Sequence, residues 1–133
     1  MRLWHQTLIP YLPRQQLLGQ HRECCALRGA GWGRNHSVVN YVFTHDPAYL
    51  VAYHYLIMKE MEHRGYKPAL IWYNSKYRGK TLGLQEDWAD KDLLLDILQE
   101  EDNVIIYPEH NNEYLKECLD NLKSKGIEIN MEK

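Results

Sequence analysis

The chain has 133 residues, of which 44% are apolar and 26% are charged, and it therefore fits one soluble globular domain that can bury a core. The N-terminus has no apolar run long enough for a signal peptide or a membrane span, so we expect a cytoplasmic protein without membrane contact. The formal net charge of −2 conceals two unlike parts, because residues 1–80 carry 11 Lys and Arg against 4 Asp and Glu, whereas residues 81–133 carry 5 against 14.

This charge division predicts a nucleic-acid-binding face backed by an acidic region. Two halves that are merely solvated would give the same totals, so the charge pattern alone leaves both interpretations open.

The first predicted element is a helix that begins near Pro13, which suits a first helical turn, and ends near Leu27, before a run of glycines. Its core-facing stripe comprises Leu17, Leu18, His21, Cys24 and Cys25. Residues three and four apart are neighbours on a helix. They form a second stripe here, made of Gln16, Gly19, Glu23 and Ala26. Gly19 costs the helix about 1 kcal/mol relative to Ala, and it either lets a ligand approach Glu23 or admits a neighbouring helix.

Glu23 is the only carboxylate in the first 45 residues. The cations around it in sequence are Arg2, Arg14, Arg22, Arg28 and Arg34. Because an acid weakens the attraction of its basic neighbours for a polyanion, we interpret the arginines as phosphate ligands and Glu23 as a residue that performs chemistry between them. The alternative is a helix-surface acid that pairs with Arg22 or His21.

A glycine-rich loop and a second helix follow. Residues 28–36 form the loop, which contains Trp32, Arg34, Asn35 and His36, is predicted to be mobile and to face DNA, and lacks the spacing of a Walker phosphate loop. The helix is predicted from about 47 to 64, with Asp46 as its N-cap and Gly65 after its end. Its predicted core stripe is Leu50, Tyr53, His54, Ile57, Met58 and Met61.

Residues 71–80 alternate aromatic side chains with basic and polar ones. Such a segment can stack on bases or sugars while its cations meet phosphates. The basic part around it favours nucleic-acid contact over an ordinary surface loop that tucks its rings into the core. The candidate contacts are Trp72, Tyr73, Lys76, Tyr77 and Lys80.

The acidic part predicts a helix over 90–101, a short strand over 104–107, a helix over 111–125 that Gly126 stops, and a last strand over 127–129. We predict a mainly α, compact helical single domain, in which residues 1–80 form a basic core and residues 81–133 an acidic extension packed on the same domain. A small β-α-β appendage or further helix would close its C-terminal end. We assign no chemistry to this half.

The spacing of the cysteines and histidines does not predict a metal site. Cys24, Cys25 and Cys118 include no CxxC pair, so we expect reduced, partly buried thiols and no zinc site. Histidines recur every nine residues at positions 36, 45, 54 and 63, but three of them lie on different elements, so the four share no common face. We therefore predict no metal and no cofactor, and we interpret His21 and His54 as core residues.

Taken in order, several segments of the first 80 residues resemble the pyrimidine dimer DNA glycosylases of the phage endonuclease V type. The segments are Met-Arg-Leu-Trp at the start, Gln-Gln-Leu-Leu-Gly-Gln-His-Arg-Glu over 15–23, Asn35-His36, Tyr49-Leu50, Glu60, Arg64-Gly65-Tyr66, Trp72-Tyr73, Lys76-Tyr77 and Gly79-Lys80. Each is short, and their common order and spacing carry the resemblance, which does not extend to residues 81–133.

The resemblance implies a helical domain that kinks duplex DNA at a cyclobutane dimer and extrudes a base opposite the lesion. The N-terminal α-amine would attack C1′ of the damaged nucleotide, displace the base and leave a Schiff base, from which β-elimination nicks the strand. An α-amine has a pKa of about 7.7–8.0, so an appreciable fraction is neutral at cellular pH, and nearby arginines would lower that pKa further.

The resemblance also assigns roles to individual residues. Glu23 matches the family's catalytic glutamate, which stabilises positive charge at the sugar and helps to remove the C2′ proton. Arg22 matches the neighbouring arginine, Arg28 is the nearest candidate for a second phosphate clamp, and His36 resembles the loop histidine that contacts DNA.

Three positions differ from the best-known members of the family, which expose a threonine amine after loss of the initiator methionine. One of them is Arg28, which is displaced relative to their second arginine. Residue 2 here is Arg, before which methionine is normally retained, so the predicted nucleophile is the amine of Met1, as in members that open with Met-Arg-Leu-Trp. Gln16 stands where the phage-type enzymes have a histidine.

Two functions are compatible with these features. The first is a DNA repair glycosylase and AP lyase that acts on pyrimidine dimers or related damage in double-stranded DNA, as a monomer. The second is a DNA- or RNA-binding module on the same scaffold without catalysis. Both predict salt-sensitive binding, but only the enzyme forms a covalent adduct that borohydride traps.

Overall fold

Five α-helices and three short 3₁₀ helices form the regular structure of residues 2–100 and 104–131, the part of the chain that the computed structural model describes. The α-helices are α1 (Arg14–Arg28), α2 (Pro47–His63), α3 (Gly79–Leu82), α4 (Lys91–Gln99) and α5 (Asn112–Ser124), and the 3₁₀ helices span Gln6–Tyr11, Asn40–Thr44 and Leu70–Tyr73. The prediction of a mainly α fold is confirmed. No helix in these ranges is long and apolar enough to cross a membrane.

The two longest helices end where local signals in the sequence predict. The Asp46 carboxylate caps α2 by accepting a hydrogen bond from the Ala48 N–H at 2.9 Å, and Gly65, just after the helix, has a φ of 89°, which glycine adopts without strain. At the end of α1, a side-chain carbon at Gly31 would lie 2.8 Å from the Ala26 carbonyl oxygen. Only glycine fits there, so Gly31 permits the close turn back onto the end of α1 by which the chain leaves the helix.

Helices α1 and α2 pack against each other and form the centre of the core. The predicted stripe of α2 is confirmed, because all six of its residues are buried. The buried face of α1 differs from the predicted one, since it includes Gln20, Leu27 and Arg28, whereas Leu18, His21 and Cys25 are only half-buried. An apolar pattern cannot reveal a helix face that buries an amide and a guanidinium.

The acidic part of the chain contributes to the same core. Tyr107, Cys118 and Leu122 are completely buried and belong to one cluster with Leu3 and Leu17. A smaller cluster joins the segment before α4 to α2 through Ala89, Ala48 and Val51. Residues from both charge halves therefore share one hydrophobic interior.

The strands predicted over 104–107 and 127–129 are not formed. The side-chain amide of Gln6 instead binds the first of these segments: its Nε2 donates to the Val104 carbonyl and its Oε1 accepts from the Ile106 N–H, both at 2.8 Å. One side chain thus occupies the bonding positions that a partner strand would need. Helix α5, with Gly126 at φ 79° after it, follows its prediction, as does α4, although Glu101 at the end of the predicted helix lies outside the described residues.

Two buried histidines hold the start of the chain against the segment before α5. His110 accepts a hydrogen bond from the Gln6 N–H at Nδ1, at 3.1 Å, and His5 accepts one from the Thr7 N–H at Nδ1, at 3.2 Å. A ring nitrogen that accepts such a bond has no room for a proton. Burial lowers the pKa of both rings, and that of His110 falls to about 3.

We expect the free energy of unfolding to fall as the pH is lowered from 7 to 5. An unfolded histidine binds a proton with a pKa of about 6.5 while folded His110 stays neutral, so acid favours the unfolded state, by about 2 kcal/mol for this ring at pH 5. Urea titrations at pH 7, 6 and 5 measure the effect. His110→Gln should lose less stability over this interval, and an equal loss in both proteins would contradict the assignment.

Candidate active site

Glu23 lies on α1 and faces the first residues of the chain. Its Oε2 accepts hydrogen bonds from the Arg2 backbone N–H at 3.4 Å and from Gln20 Nε2 at 3.0 Å. The side chain is half-buried, and among the ion pairs of the described residues neither Arg22 nor His21 is its partner. The interpretation of Glu23 as a surface acid paired with one of these residues is therefore not supported.

Burial raises the pKa of Glu23 above its ordinary value. The Arg2 N–H and the positive charges of the chain terminus, Lys125 and Arg22 act in the opposite direction but do not cancel it. A carboxyl group with a raised pKa is better matched to proton transfer near neutral pH than a fully solvated one.

Helix α5, to which we assigned no chemistry, borders the same site. The Tyr114 hydroxyl donates to the Leu3 carbonyl at 2.5 Å, and Lys125, just after the helix, holds its ammonium 5.5 Å from the centre of the Trp4 ring. These contacts fix residues 3 and 4 between α5 and α1. No local signal in the sequence indicates them, because they join residues more than 100 positions apart.

Arg2, a predicted phosphate ligand, also contacts α5. Its guanidinium forms an ion pair with Glu117 at 3.4 Å and lies 5.8 Å from the centre of the Tyr114 ring. Its backbone, rather than its side chain, is the part that contacts Glu23. Met1, the predicted nucleophile, lies outside the described residues.

Arg28, predicted to clamp a phosphate, lies completely inside the protein. Its guanidinium donates to the carbonyls of Trp72 and Asn74, each at 2.8 Å, and of Tyr77 at 2.9 Å. In this position it cannot reach a DNA phosphate, and it anchors the aromatic segment 71–80 to α1 instead. The physical reason is that an irregular segment leaves carbonyls without backbone partners, and a guanidinium with its five donors satisfies several of them at once.

A chain of hydrogen bonds continues from Arg28 to the surface of α1. Arg28 NH1 lies 3.1 Å from His54 Nδ1, and His54 Nε2 lies 2.8 Å from His21 Nδ1. Because a guanidinium only donates, His54 must accept at Nδ1 and carry its proton on Nε2. That proton is then donated to His21.

His21, Cys25 and His54 form the one group of three metal-ligating side chains found among the described residues, with ligand atoms within 4.8 Å of one another. A cation bound here would have to replace the Nε2 proton of His54 while Arg28 still donates to the opposite nitrogen. Burial also raises the pKa of the Cys25 thiol to about 11, whereas a metal ligand must be deprotonated. The contacts favour a hydrogen-bonded network over a metal centre.

The other predicted DNA ligands are spread over three neighbourhoods. Arg22, whose guanidinium lies 3.6 Å from where a side-chain carbon at Gly19 would be, is exposed on the same helix as Glu23. No other atom outside the adjoining backbone of α1 lies within 4 Å of that position, so no neighbouring helix requires Gly19. Arg34 follows α1, where its Nε donates to the Ala30 carbonyl at 2.8 Å, and half-buried His36 lies in the same loop. Arg14 packs over Tyr66 at 5.8 Å.

Within the aromatic segment, the side chains differ in how far they are already engaged by contacts within the protein. Trp72 packs edge-on against Tyr77, with ring centres 4.7 Å apart, and both lie close to the buried Arg28. The Tyr73 hydroxyl donates to Glu62 at 2.5 Å, and Lys76 pairs with Glu86 at 2.8 Å. Lys80 is the exposed cation among the five candidates.

The fold and this site define a small helical protein with a half-buried carboxylate held against its first residues. The family model of the pyrimidine dimer DNA glycosylases matches residues 1–74, which is more than half of the chain. The protein therefore belongs to the pyrimidine dimer DNA glycosylase family, as the resemblance predicted. No curated protein and no solved structure matches it. The matched range contains Glu23, α1 and α2, whereas α5 lies beyond it.

Proposed function

We propose that this protein is a DNA glycosylase with AP lyase activity that acts on pyrimidine dimers or related base damage in double-stranded DNA. Membership of the family supports the glycosylase class. The observation that carries the mechanism is the 3.4 Å contact between the Arg2 backbone N–H and the Glu23 carboxylate.

This contact limits how far the α-amine of Met1 can be from Glu23. Residue 1 lies outside the described residues, but its carbonyl carbon is bonded to the Arg2 nitrogen, so its amine is three covalent bonds away from that nitrogen. Bond lengths restrict the separation of the amine from Glu23 Oε2 to about 7 Å. A sugar bound to the amine would therefore lie within reach of the carboxylate.

In the proposed reaction, the neutral amine attacks C1′ and the bond from C1′ to the base breaks, its electron pair leaving with the base, which takes up a proton. The amine nitrogen loses a proton, the sugar ring opens as O4′ takes up a proton, and a protonated Schiff base remains. Removal of the C2′ proton then forms the C2′–C3′ double bond as the 3′ phosphate departs. Water finally hydrolyses the imine and releases the amine.

Glu23 has two tasks in this sequence. Its ionised form stabilises the positive charge that develops at the sugar, and the same carboxylate then accepts the C2′ proton. Burial, which raises its pKa, makes it a stronger base than a solvated glutamate. The cations Arg22 and Lys125, which act on the same carboxylate, would keep the nearby amine neutral by disfavouring its charged form.

We further propose that the basic part, residues 1–80, presents the DNA-binding face of a monomer and that the acidic part packs on it, with α5 and Lys125 bordering the active site. The phosphate ligands would be the exposed cations Arg14, Arg22, Arg34 and Lys80. His36 and the aromatic segment, with Trp72, Tyr73, Lys76 and Tyr77, would contact the distorted duplex near the lesion. Binding should weaken with added salt in proportion to the phosphates neutralised.

Borohydride trapping tests the proposal. Protein with a native, untagged N-terminus is incubated with duplexes that carry either an abasic site or a thymine dimer, with borohydride present, beside protein whose N-terminus has been acetylated. We expect an adduct on both duplexes that is absent from the acetylated protein. Trapping on the abasic site alone would restrict the activity to the lyase step. Tight binding without an adduct on either duplex would leave a DNA-binding module and overturn the enzyme.

A further inference from the structure

Gln20 is a polar side chain buried at the contact between α1 and the first residues of the chain, with 1% of its surface exposed. Its Oε1 accepts a hydrogen bond from the Trp4 N–H at 2.7 Å, and its Nε2 donates to the Arg2 carbonyl at 2.9 Å and to Glu23 Oε2 at 3.0 Å. The Tyr53 hydroxyl, from α2, lies 2.9 Å from the same Oε1 and 2.7 Å from the Trp4 carbonyl.

The partners of Gln20 determine which way its amide points. The Trp4 N–H can only donate, whereas the Arg2 carbonyl and an ionised Glu23 can only accept. If the amide were flipped, its NH₂ group would face the Trp4 N–H, and its oxygen would face the Arg2 carbonyl and Glu23 Oε2. The amide therefore has one orientation, in which both Nε2 hydrogens and the Oε1 acceptor are used.

We infer that Gln20 is a positioning residue for the proposed reaction and that it holds residues 2–4 at a set distance from the Glu23 carboxylate. The predicted nucleophile is the amine of residue 1, which is bonded covalently to Arg2. The inference rests on the proposed function. A single side-chain amide bonds to both ends of the segment 2–4 and to the Glu23 carboxylate. It therefore links the segment that carries the predicted nucleophile to the acid–base group. Misplacement of reacting groups by about 1 Å can cost a factor of 10² in rate.

The charged and titratable groups around Glu23 come from several elements. Arg22 and Cys24 lie on α1, Lys125 follows α5, and the terminal ammonium group belongs to the chain start. Tyr53 faces Gln20 from α2, and burial raises the pKa of its phenol well above the ordinary value, so the phenol stays protonated. None of these groups changes when residue 20 alone is substituted.

The test is Gln20→Glu, assayed as the rate of borohydride trapping on an abasic-site duplex between pH 6 and pH 8. Glutamate keeps the acceptor for the Trp4 N–H. Its second oxygen replaces the Nε2 donor next to Glu23, where two neighbouring carboxyl groups share one proton until the pH exceeds the upper pKa of the pair. We expect the rate of the variant relative to the wild type to fall about tenfold across this interval as that proton is lost.

Two further variants separate positioning from folding. Tyr53→Phe removes a hydroxyl from the same network without touching Glu23, and its relative rate should not depend on pH. Gln20→Met keeps the size of the side chain without its bonds, so it should form the adduct at least tenfold more slowly while binding the duplex as tightly as the wild type. A slower rate of adduct formation at unchanged DNA affinity in Gln20→Met tests the inference even if Gln20→Glu does not fold.

The outcomes distinguish this inference from the proposed function. No adduct with the wild-type protein would overturn the enzyme and the role of Gln20 together. A normal wild-type adduct, with a relative rate for Gln20→Glu that is independent of pH or a rate for Gln20→Met equal to the wild type, would overturn the role of Gln20 alone.

Discussion

Glu23→Gln should lower the rate of adduct formation and strand cleavage by a factor of about 10²–10⁴, the range associated with loss of a general acid–base group. Glutamine has nearly the same shape, and its oxygen can still accept the hydrogen bonds that the Arg2 N–H and Gln20 donate to this position. It cannot accept a proton from C2′ or balance positive charge at the sugar. The loss should therefore appear in the rate, measured by single-turnover cleavage of an abasic-site duplex.

DNA affinity provides the second half of this experiment. Removing a negative charge from a basic surface should leave binding unchanged or strengthen it, which fluorescence anisotropy measures. Glu117→Gln is the matched control, because it removes the same charge from another carboxylate that contacts Arg2, one whose side chain is 62% exposed. We expect this control to cleave within about twofold of the wild type. Equal losses in both variants, or full activity in Glu23→Gln, would contradict the assignment.

Arg28→Met should have the largest effect on stability. The guanidinium is completely buried and satisfies the carbonyls of Trp72, Asn74 and Tyr77, and a buried polar group left without a partner costs about 1–3 kcal/mol. We expect the variant to lose about 3 kcal/mol or more of its free energy of unfolding. Thermal melting followed by circular dichroism should show a midpoint about 10 °C lower.

Arg22→Met is the matched control for this change. Arg22 is exposed on the same helix, so its loss should alter stability by about 0.5 kcal/mol or less while reducing the salt dependence of DNA binding by roughly one counterion. The two arginines should thus show opposite behaviour. If Arg28→Met melted like the wild type and lost DNA affinity instead, Arg28 would be a phosphate ligand and its buried position would be wrong for the protein in solution.

Local chemistry explains why the helices of the first half were predictable. Asp46 followed by Pro47 starts a helix because a carboxylate caps it and proline suits its first turn. Gly65 follows its end because glycine adopts the positive φ that the chain has there. The stripe of α2 is apolar except for His54 and a tyrosine, so its period identifies the buried face. Glu23 was recognisable for a similar reason, as the lone acid among arginines.

The burial of Arg28 and Gln20 could not be predicted from local sequence patterns. Both are polar, and polar residues on a helix are expected at the surface. Each is buried because the backbone groups of distant segments need hydrogen-bond partners: the carbonyls of 72–77 for Arg28, and the N–H and carbonyl groups of residues 2–4 for Gln20. The strand predicted over 104–107 failed for the same reason, since the Gln6 amide replaced its partner.

The sequence by itself determined the helical class of this protein, the boundaries of its main helices, its family and the identity of the candidate acid. The helices and the acid depend on residues close together in the chain, and the family depends on short motifs in a common order. Only the tertiary structure decided what surrounds that acid. Tyr114 and Glu117 on α5, and Lys125 just after it, contact residues 2–4, and Gln20 ties those residues to Glu23. Such contacts depend on how the helices pack, and packing is set by the whole core rather than by any one segment.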